Sequence, residues 1–200
     1  MGASGAIGVD VTETEAFADQ LNQAGPVDVL VNNAGGVETA PLARLDVAQL
    51  RRMMALNVEP VLTAIGVVVP SMAARGFGRI VTVASMAALK GYAYVGAYTA
   101  AKHAVLGLTR SLALELASSG VTVNAVCPGY TDTDLIATSL DRLEQKTGRD
   151  RGALLAEFTR INPLGRLIRP DEVASTVLFL ASAAASGITG QALAVAGGES

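Results

Sequence analysis

Three polar residues near the middle of the sequence have the types and the spacing of an acid–base site. Tyr98 and Lys102 stand four positions apart in a segment of helical spacing, so their side chains are predicted to project from one helix face. An ammonium group beside a phenol favours the phenolate and lowers the pKa of the tyrosine. Ser85 ends a predicted strand, where its hydroxyl can hydrogen-bond a substrate carbonyl or alcohol. The set predicts proton transfer at a substrate oxygen.

The Tyr-x-x-x-Lys spacing alone is weak, because a tyrosine packed at a helix edge beside a solvated lysine gives the same pattern. The surrounding sequence favours the chemical interpretation. NNAGG (32–36) ends one predicted strand, an asparagine follows in LNV (56–58), and PGY (128–130) ends the strand after the YTAAK helix. Since the carboxyl ends of parallel strands share one edge of a sheet, these segments are predicted to surround the same site.

The order of the elements predicts an α/β fold. Apolar runs rich in β-branched residues alternate with longer segments of helical spacing, which is typical of a parallel sheet covered by helices on both faces. At least five strands are predicted, and the runs are AIGVDV (6–11), VDVLVNNAG (27–35), RIVTVAS (79–85), VTVNAVCPG (121–129) and QALAVAGG (191–198). The predicted helices cover residues 12–24, 47–74 with a break near Pro60, 96–118 and 171–182.

Local signals set the ends of these helices. Thr12 with Glu15 three positions later predicts a capping box, Gly120 ends the third helix, and Pro170 begins the last one. The stretch from Tyr130 to Arg169 has no strand signal and is predicted to carry short, mobile helices. Its place after a strand suits a segment that covers a substrate.

Composition limits the classes of function. The chain has 200 residues, half of them apolar, and a formal net charge of -3, which is typical of a soluble protein of one domain. No basic run or membrane span stands out, so neither a nucleic acid nor a membrane is predicted as a partner. The single cysteine, Cys127, cannot form an internal disulfide, and no signal peptide is recognised, so a cytoplasmic location is predicted. No cluster of ligating side chains predicts a metal site.

As a set, the motifs resemble those of the short-chain dehydrogenase/reductase family. The matching pieces run in family order, and they are DVT (10–12), NNAG (32–35), Asn57, Ser85, YTAAK (98–102), NAVCPGY (124–130) and TGQALAVAGG (189–198). The resemblance implies a Rossmann-like, doubly wound parallel sheet and a nicotinamide cofactor, NAD or NADP. It also implies an oxidoreductase that interconverts a ketone and a secondary alcohol.

The resemblance also assigns roles to residues. Tyr98 is the general acid in reduction and the base in oxidation, Lys102 lowers its pKa and binds the nicotinamide ribose, Ser85 orients the substrate oxygen, and Asn57 anchors a relay water. The residues expected to contact the cofactor are Asp10, Val11, Asn33, Ala34, Gly35, Tyr98, Lys102, Pro128, Gly129 and Thr131.

The first residues depart from the family pattern. GASGAIG (2–8) resembles the glycine-rich loop that binds pyrophosphate, but only Met1 precedes it, and VDVT follows it where a loop of this kind needs a helix. We therefore interpret residues 6–11 as the third family strand, with strands 3 to 7 present and strands 1 and 2 absent. Such a strand is expected to be displaced, paired with residues 27–31, or paired with another molecule through an exposed edge.

Three functional interpretations remain open from the sequence: an NAD(P)-dependent oxidoreductase, a cofactor-incompetent scaffold or subunit partner, and an enzyme with altered cofactor binding.

Residues 142–169 carry seven basic and three acidic side chains. This excess of positive charge suits binding of a phosphate-bearing acyl-CoA or acyl carrier protein, but a solvated surface without a ligand gives the same composition. The sequence around NAVCPGYTDTDLI resembles that of 3-oxoacyl reductases and 3-hydroxyacyl-CoA dehydrogenases.

Two predicted helices are apolar on more than one face, which implies more than one packing partner for each. A homo-oligomer, either a tetramer or a dimer, is therefore expected.

Overall fold

A computed structural model describes residues 5–199, and four parallel strands form its sheet in the order β1-β2-β3-β4. The strands are β1 (Val29–Asn32), β2 (Gly78–Val83), β3 (Val121–Pro128) and β4 (Ala192–Val195). The helices are α1 (Thr14–Gln23), α2 (Val47–Asn57), α3 (Glu59–Arg75), α4 (Gly96–Leu116), α5 (Asp134–Thr147), α6 (Arg151–Ile161) and α7 (Pro170–Ala181). The start of the GASGAIG stretch, residues 2–4, lies outside the described residues.

The two central strands are buried on both faces, as their continuous apolar sequence predicts. Ile80 of β2 packs into the larger core, which α2, α3 and α4 complete. Its neighbour Val81 points to the opposite face and packs with Val126 and Leu180, the latter from α7. Helices therefore cover both faces of the sheet, and the predicted α/β class is confirmed.

The strand predicted at residues 6–11 is wrong. Residues 5–10 have no regular secondary structure and are mostly exposed, and β1 is hydrogen-bonded to β2 alone within the described sheet. Of the three arrangements that we considered, the displaced one is observed. A strand is stable only beside a partner strand, and this segment pairs with neither outer strand of the described sheet, although the outer edge of β1 is free.

The capping box predicted at the start of α1 is also wrong. The helix begins at Thr14 after Glu13, which makes no side-chain cap. Thr12 instead donates its hydroxyl to the Asp10 carboxylate at 2.7 Å, and its backbone N–H donates to the same oxygen at 2.9 Å. The local Asp–Thr turn competes with the cap for the threonine side chain.

The long apolar stretch from 47 to 75 is two helices, as the break near Pro60 predicts. Asp46 caps α2 by accepting a hydrogen bond from the backbone N–H of Gln49 at 2.7 Å, and Val58 separates α2 from α3. The stretch has the length and composition of a membrane span, but 44% of its most apolar window is buried within the protein. Its buried side chains belong to the core beside the sheet.

Gly120 ends the helical segment after α4, as predicted, and its φ of 76° is a left-handed conformation. An added Cβ there would lie 2.1 Å from the carbonyl oxygen of Gly76, so only glycine fits.

The excursion after β3 holds α5 and α6. The two ends of this excursion lie side by side and are joined by two backbone hydrogen bonds. The Ile168 N–H donates to the Tyr130 carbonyl at 2.8 Å, and the Asp132 N–H donates to the Ile168 carbonyl at 2.9 Å.

Candidate active site

Ser85, Tyr98 and Lys102 meet at the carboxyl end of β2. Ser85 caps a short 3-10 turn and accepts a hydrogen bond from the Ala87 N–H at 3.0 Å. Tyr98 lies in the first turn of α4 and is hydrogen-bonded to the Ser85 side chain. Lys102 follows one turn later, with its Nζ 5.6 Å from the centre of the Tyr98 ring and 3.3 Å from the Val83 carbonyl oxygen. The structure thus brings together the three residues that were predicted from spacing.

Burial governs the charges of this set. Lys102 is only 6% exposed, and the loss of hydration lowers the pKa of its ammonium group to about 8. Burial also raises the pKa of Tyr98, and the hydrogen bond with Ser85 opposes that rise only in part. The expectation of a lowered tyrosine pKa is therefore wrong for the protein by itself, because desolvation of the phenolate is the larger effect. Tyr98 holds its proton and is suited to donate it.

Asn57 joins the site to the loop after β1. It is the last residue of α2, is 2% exposed, and donates its Nδ2 to the carbonyl oxygens of Gly36 and Met53, each at 3.0 Å. Its Oδ1 accepts from the Gly36 N–H at 3.3 Å. An added Cβ at Gly35 would lie 2.7 Å from Asn57 Oδ1 and 3.6 Å from Lys102 Nζ. The amide side chain therefore fixes the glycine loop beside Lys102.

The segment after β3 lies on the neighbouring strand at the same edge of the sheet. The register pairs Val83 of β2 with Val126 of β3, so the residues that follow the two strands emerge side by side. Gly129 donates its N–H to the Val195 carbonyl at 3.1 Å, and Thr131 donates its hydroxyl to the Gly129 carbonyl at 3.0 Å. Pro128, Gly129 and Thr131 are thus held next to the end of β2.

The residues present fit the nicotinamide half of a dinucleotide. Asn33, Ala34 and Gly35 are exposed beyond the end of β1, and the approach of Asn57 and Lys102 from behind leaves no room for a Cβ at Gly35. A flat ligand can lie on such a loop because no side chain stands in front of the glycine. Asp10 and Val11 belong instead to the segment before α1, outside the sheet, and the Asp10 carboxylate accepts both hydrogen bonds from Thr12.

The sequence interpretation did not identify a buried carboxylate beside this site. Glu199, with a side chain 2% exposed, accepts a hydrogen bond from the Tyr92 hydroxyl, and its Oε1 lies 3.2 Å from Lys90 Nζ. Burial and this carboxylate raise the pKa of Tyr92. The contact links the Ser85–Tyr98 segment to the end of β4. A glutamate after a pair of glycines carries no signal that could have revealed this pairing.

Comparison with known proteins gives the family. A family model described as Enoyl-(Acyl carrier protein) reductase matches residues 1–200. An uncharacterized oxidoreductase, YxjF, of Bacillus subtilis is 39% identical over 198 residues, which cover 96% of this chain and 77% of the relative. An acetoacetyl-CoA reductase of Rhizobium meliloti is 37% identical, with 95% of this chain and 76% of the relative covered.

Solved structures support the same family. The actinorhodin polyketide ketoreductase crystallised with NADPH has a TM-score of 0.88 and 35% identity, covering 94% of this chain and 75% of that one. A second structure, described as a putative NAD(P)-dependent gluconate 5-dehydrogenase from Beutenbergia cavernae, contains bound NADP. It has a TM-score of 0.87 and 40% identity, and the match covers 98% of this chain and 77% of that one. The chain belongs to the short-chain dehydrogenase/reductase family of NAD(P)-dependent oxidoreductases, and it is by that membership an enzyme.

Proposed function

We propose that this protein interconverts a ketone and a secondary alcohol with NAD or NADP, and that its substrate is a 3-oxoacyl or 3-hydroxyacyl thioester. One observation carries the proposal: Ser85, Tyr98 and Lys102 meet at the carboxyl edge of the sheet, where Lys102 and Asn57 also approach Gly35. Ligands of open α/β sheets bind at this edge.

The chain's own residues supply positioning and the proton. Bound NAD(P) supplies the hydride in reduction and accepts it in oxidation. Ser85 donates a hydrogen bond to the substrate oxygen, and Tyr98 transfers its phenolic proton to that oxygen as negative charge develops there. Lys102 holds the nicotinamide ribose and, when protonated, favours the phenolate that remains. Asn57 keeps the glycine loop in place and, as the family pattern implies, anchors a relay water.

The acyl thioester is supported by the name of one relative, the acetoacetyl-CoA reductase, and by the excursion from 130 to 169 beside the site. The basic surface of that excursion gives less support than its composition indicates. Arg149 pairs with Glu157 at 2.5 Å, Arg151 pairs with Asp141, and Arg166 pairs with Glu172 at 2.7 Å. These pairs neutralise much of the field that would attract a phosphate-bearing carrier.

The test is a fluorescence titration of the 200-residue chain with NADH and with NADPH, followed by turnover of acetoacetyl-CoA. Saturable binding, with turnover that is lost in Tyr98→Phe while binding is kept, is the expected result. A folded chain that binds neither cofactor at millimolar concentration contradicts the proposal. The pair of titrations also identifies the preferred cofactor.

A second candidate, a scaffold or subunit partner without cofactor binding, is favoured by the free edge of β1. Val29 and Val31 are 40% and 43% exposed, and residues 5–10 lie outside the sheet. We propose that the four described strands correspond to strands 4 to 7 of the family sheet. Binding of a second polypeptide along β1 in the absence of any cofactor binding would support this candidate.

We also propose a cytoplasmic homo-oligomer with a single catalytic domain, in which residues 130–169 cover the substrate. Exposed apolar side chains on two helices, Leu114 at 83% and Leu178 at 70%, support association. Light scattering tests it, and a monodisperse monomer contradicts it.

A further inference from the structure

A cleft of about 440 Å³ opens at the amino-terminal edge of the sheet, opposite to the candidate active site. It lies between the starts of β2 and β3 and the turn at 186–189. Arg79 lies at this edge and Ser85, two residues beyond the end of β2, lies at the other, so six residues of chain separate the two sites by at most about 20 Å. Nothing in the proposed reaction uses this cleft.

The cleft contains a buried cation, the guanidinium group of Arg79. Arg79 is 5% exposed, and among residues 5–199 no acidic side chain lies within salt-bridge distance of its guanidinium group. Its Nη1 donates to the carbonyl oxygens of Gly78 at 2.8 Å and Gly120 at 3.3 Å, and its Cζ lies 4.6 Å from the centre of the Phe77 ring. Its Nε has no hydrogen-bond partner. A buried arginine is normally paired with an anion.

Hydroxyl groups complete the lining. The Thr122 hydroxyl is buried and, like Arg79 Nε, has no hydrogen-bond partner within the described chain. Thr189 accepts a hydrogen bond from the Val123 N–H at 3.1 Å, which leaves its own hydroxyl hydrogen available to a ligand. Ser186 also lines the cleft. Of the described residues that form this lining, none is acidic.

We propose that this cleft binds a small oxyanion, a phosphate or carboxylate group, on Arg79 and Thr122. One positive charge, two donors without partners and further hydroxyls in a cleft without acidic side chains form a set that suits several oxygen acceptors at once. A guanidinium group that already gives one nitrogen to two carbonyls is fixed in orientation, so it presents its remaining donors in a set direction. Arg79 Nε and the Thr122 hydroxyl are both buried, so the proposal requires the cleft wall to open over them when the anion binds.

Calorimetric titration of the whole chain with inorganic phosphate tests the site, with sodium chloride keeping the ionic strength constant. We expect saturable binding of one phosphate per chain. Arg79→Met should abolish it, and Thr122→Val should weaken it on the order of tenfold, because a hydrogen bond to a charged group is lost. A parallel titration with acetate separates a phosphate site from a general carboxylate site.

Arg75→Met is the matched control. It removes one arginine, paired with Asp28 at 3.1 Å, from the end of α3, which also lies toward the amino-terminal edge of the sheet. It should leave phosphate binding unchanged.

Circular dichroism verifies the fold of each variant, and Thr122→Val carries the test if Arg79→Met does not fold. The proposal is overturned if neither anion binds the folded chain. It is equally overturned if phosphate binds Arg79→Met, or Thr122→Val, as well as it binds the unchanged chain. Neither cofactor nor turnover enters the measurement, so its outcome is independent of the proposed function.

Discussion

The carboxyl edge of the central strands and the segment at residues 5–10 differ in how closely their residues are packed. At the carboxyl edge, Asn57 and Lys102 both approach Gly35, Asn57 is hydrogen-bonded to Gly36, and Lys102 is hydrogen-bonded to the Val83 carbonyl oxygen. In the segment at residues 5–10, a Cβ added at Gly5 or Gly8 has no atom of the described residues within 4 Å beyond its immediate neighbours. The difference teaches that the same residue type, glycine, is essential in one region and replaceable in the other.

The largest expected effect is on catalysis. Tyr98→Phe removes the proton donor while keeping the ring, so turnover of acetoacetyl-CoA should fall by about 10²–10⁴. The free energy of unfolding should change little, since the hydroxyl makes one hydrogen bond to Ser85. Steady-state kinetics and urea denaturation measure the two quantities. Retention of full turnover in the variant would remove Tyr98 from the mechanism.

The two glycine regions can be compared directly. Gly35→Ala places a Cβ 2.7 Å from Asn57 Oδ1 and should destabilise the protein by about 1–3 kcal/mol through overpacking. Gly8→Ala meets no atom within 4 Å and should leave stability within about 0.5 kcal/mol of the starting value. Equal effects of the two substitutions on the urea midpoint would contradict the contrast between the regions.

Burial of Lys102 should have a pH-dependent effect on the free energy of unfolding, similar in size to the effect of Gly35→Ala. Its pKa is lowered from 10.5 to about 8 by burial, so the folded state binds fewer protons than the unfolded state between these values. The penalty for burying the ammonium group is therefore fully present below pH 8 and disappears as the pH rises toward 10.5. It is on the order of 3 kcal/mol at most.

Lys102→Met should accordingly stabilise the protein by about 1–3 kcal/mol at pH 7, because the penalty for burying the ammonium group is removed. It should also abolish turnover, since the proposed reaction needs the lysine. The gain over the unchanged chain should shrink as the pH rises from 8 to 10.5. Urea denaturation of both chains at pH 7 and at pH 10 measures it. A gain that is the same at both values would show that the lysine is not desolvated.

The smallest expected effect lies at the free edge of the sheet. Val31 of β1 and Val81 of β2 are register partners, yet Val31 is 43% exposed and Val81 is fully buried. Val31→Thr should change stability by less than about 0.5 kcal/mol, whereas Val81→Thr buries a hydroxyl and should destabilise by about 1–3 kcal/mol. If Val31→Thr proves as damaging as Val81→Thr, then β1 is covered in solution by another polypeptide.

The acid–base set was predictable because its residues lie close in sequence and on regular elements. Four positions on a helix place Tyr98 and Lys102 on one face, and the end of a strand places Ser85 at the sheet edge. Four of the five predicted strands and the break between α2 and α3 are confirmed for the same reason. The strand at 6–11 failed because an apolar run forms a strand only when a neighbour pairs with it.

The sequence by itself determined the α/β class, the break between α2 and α3, and the types of residue at the carboxyl edge of the sheet, since these depend on local periodicity and on short motifs. Tertiary structure alone decided that the pKa of Tyr98 is raised, that Glu199 is buried against Tyr92, and that Arg79 is buried with no carboxylate of residues 5–199 beside it. Each of these depends on what packs around a side chain from distant parts of the chain. Desolvation and pairing are properties of that packing, and no local pattern encodes them.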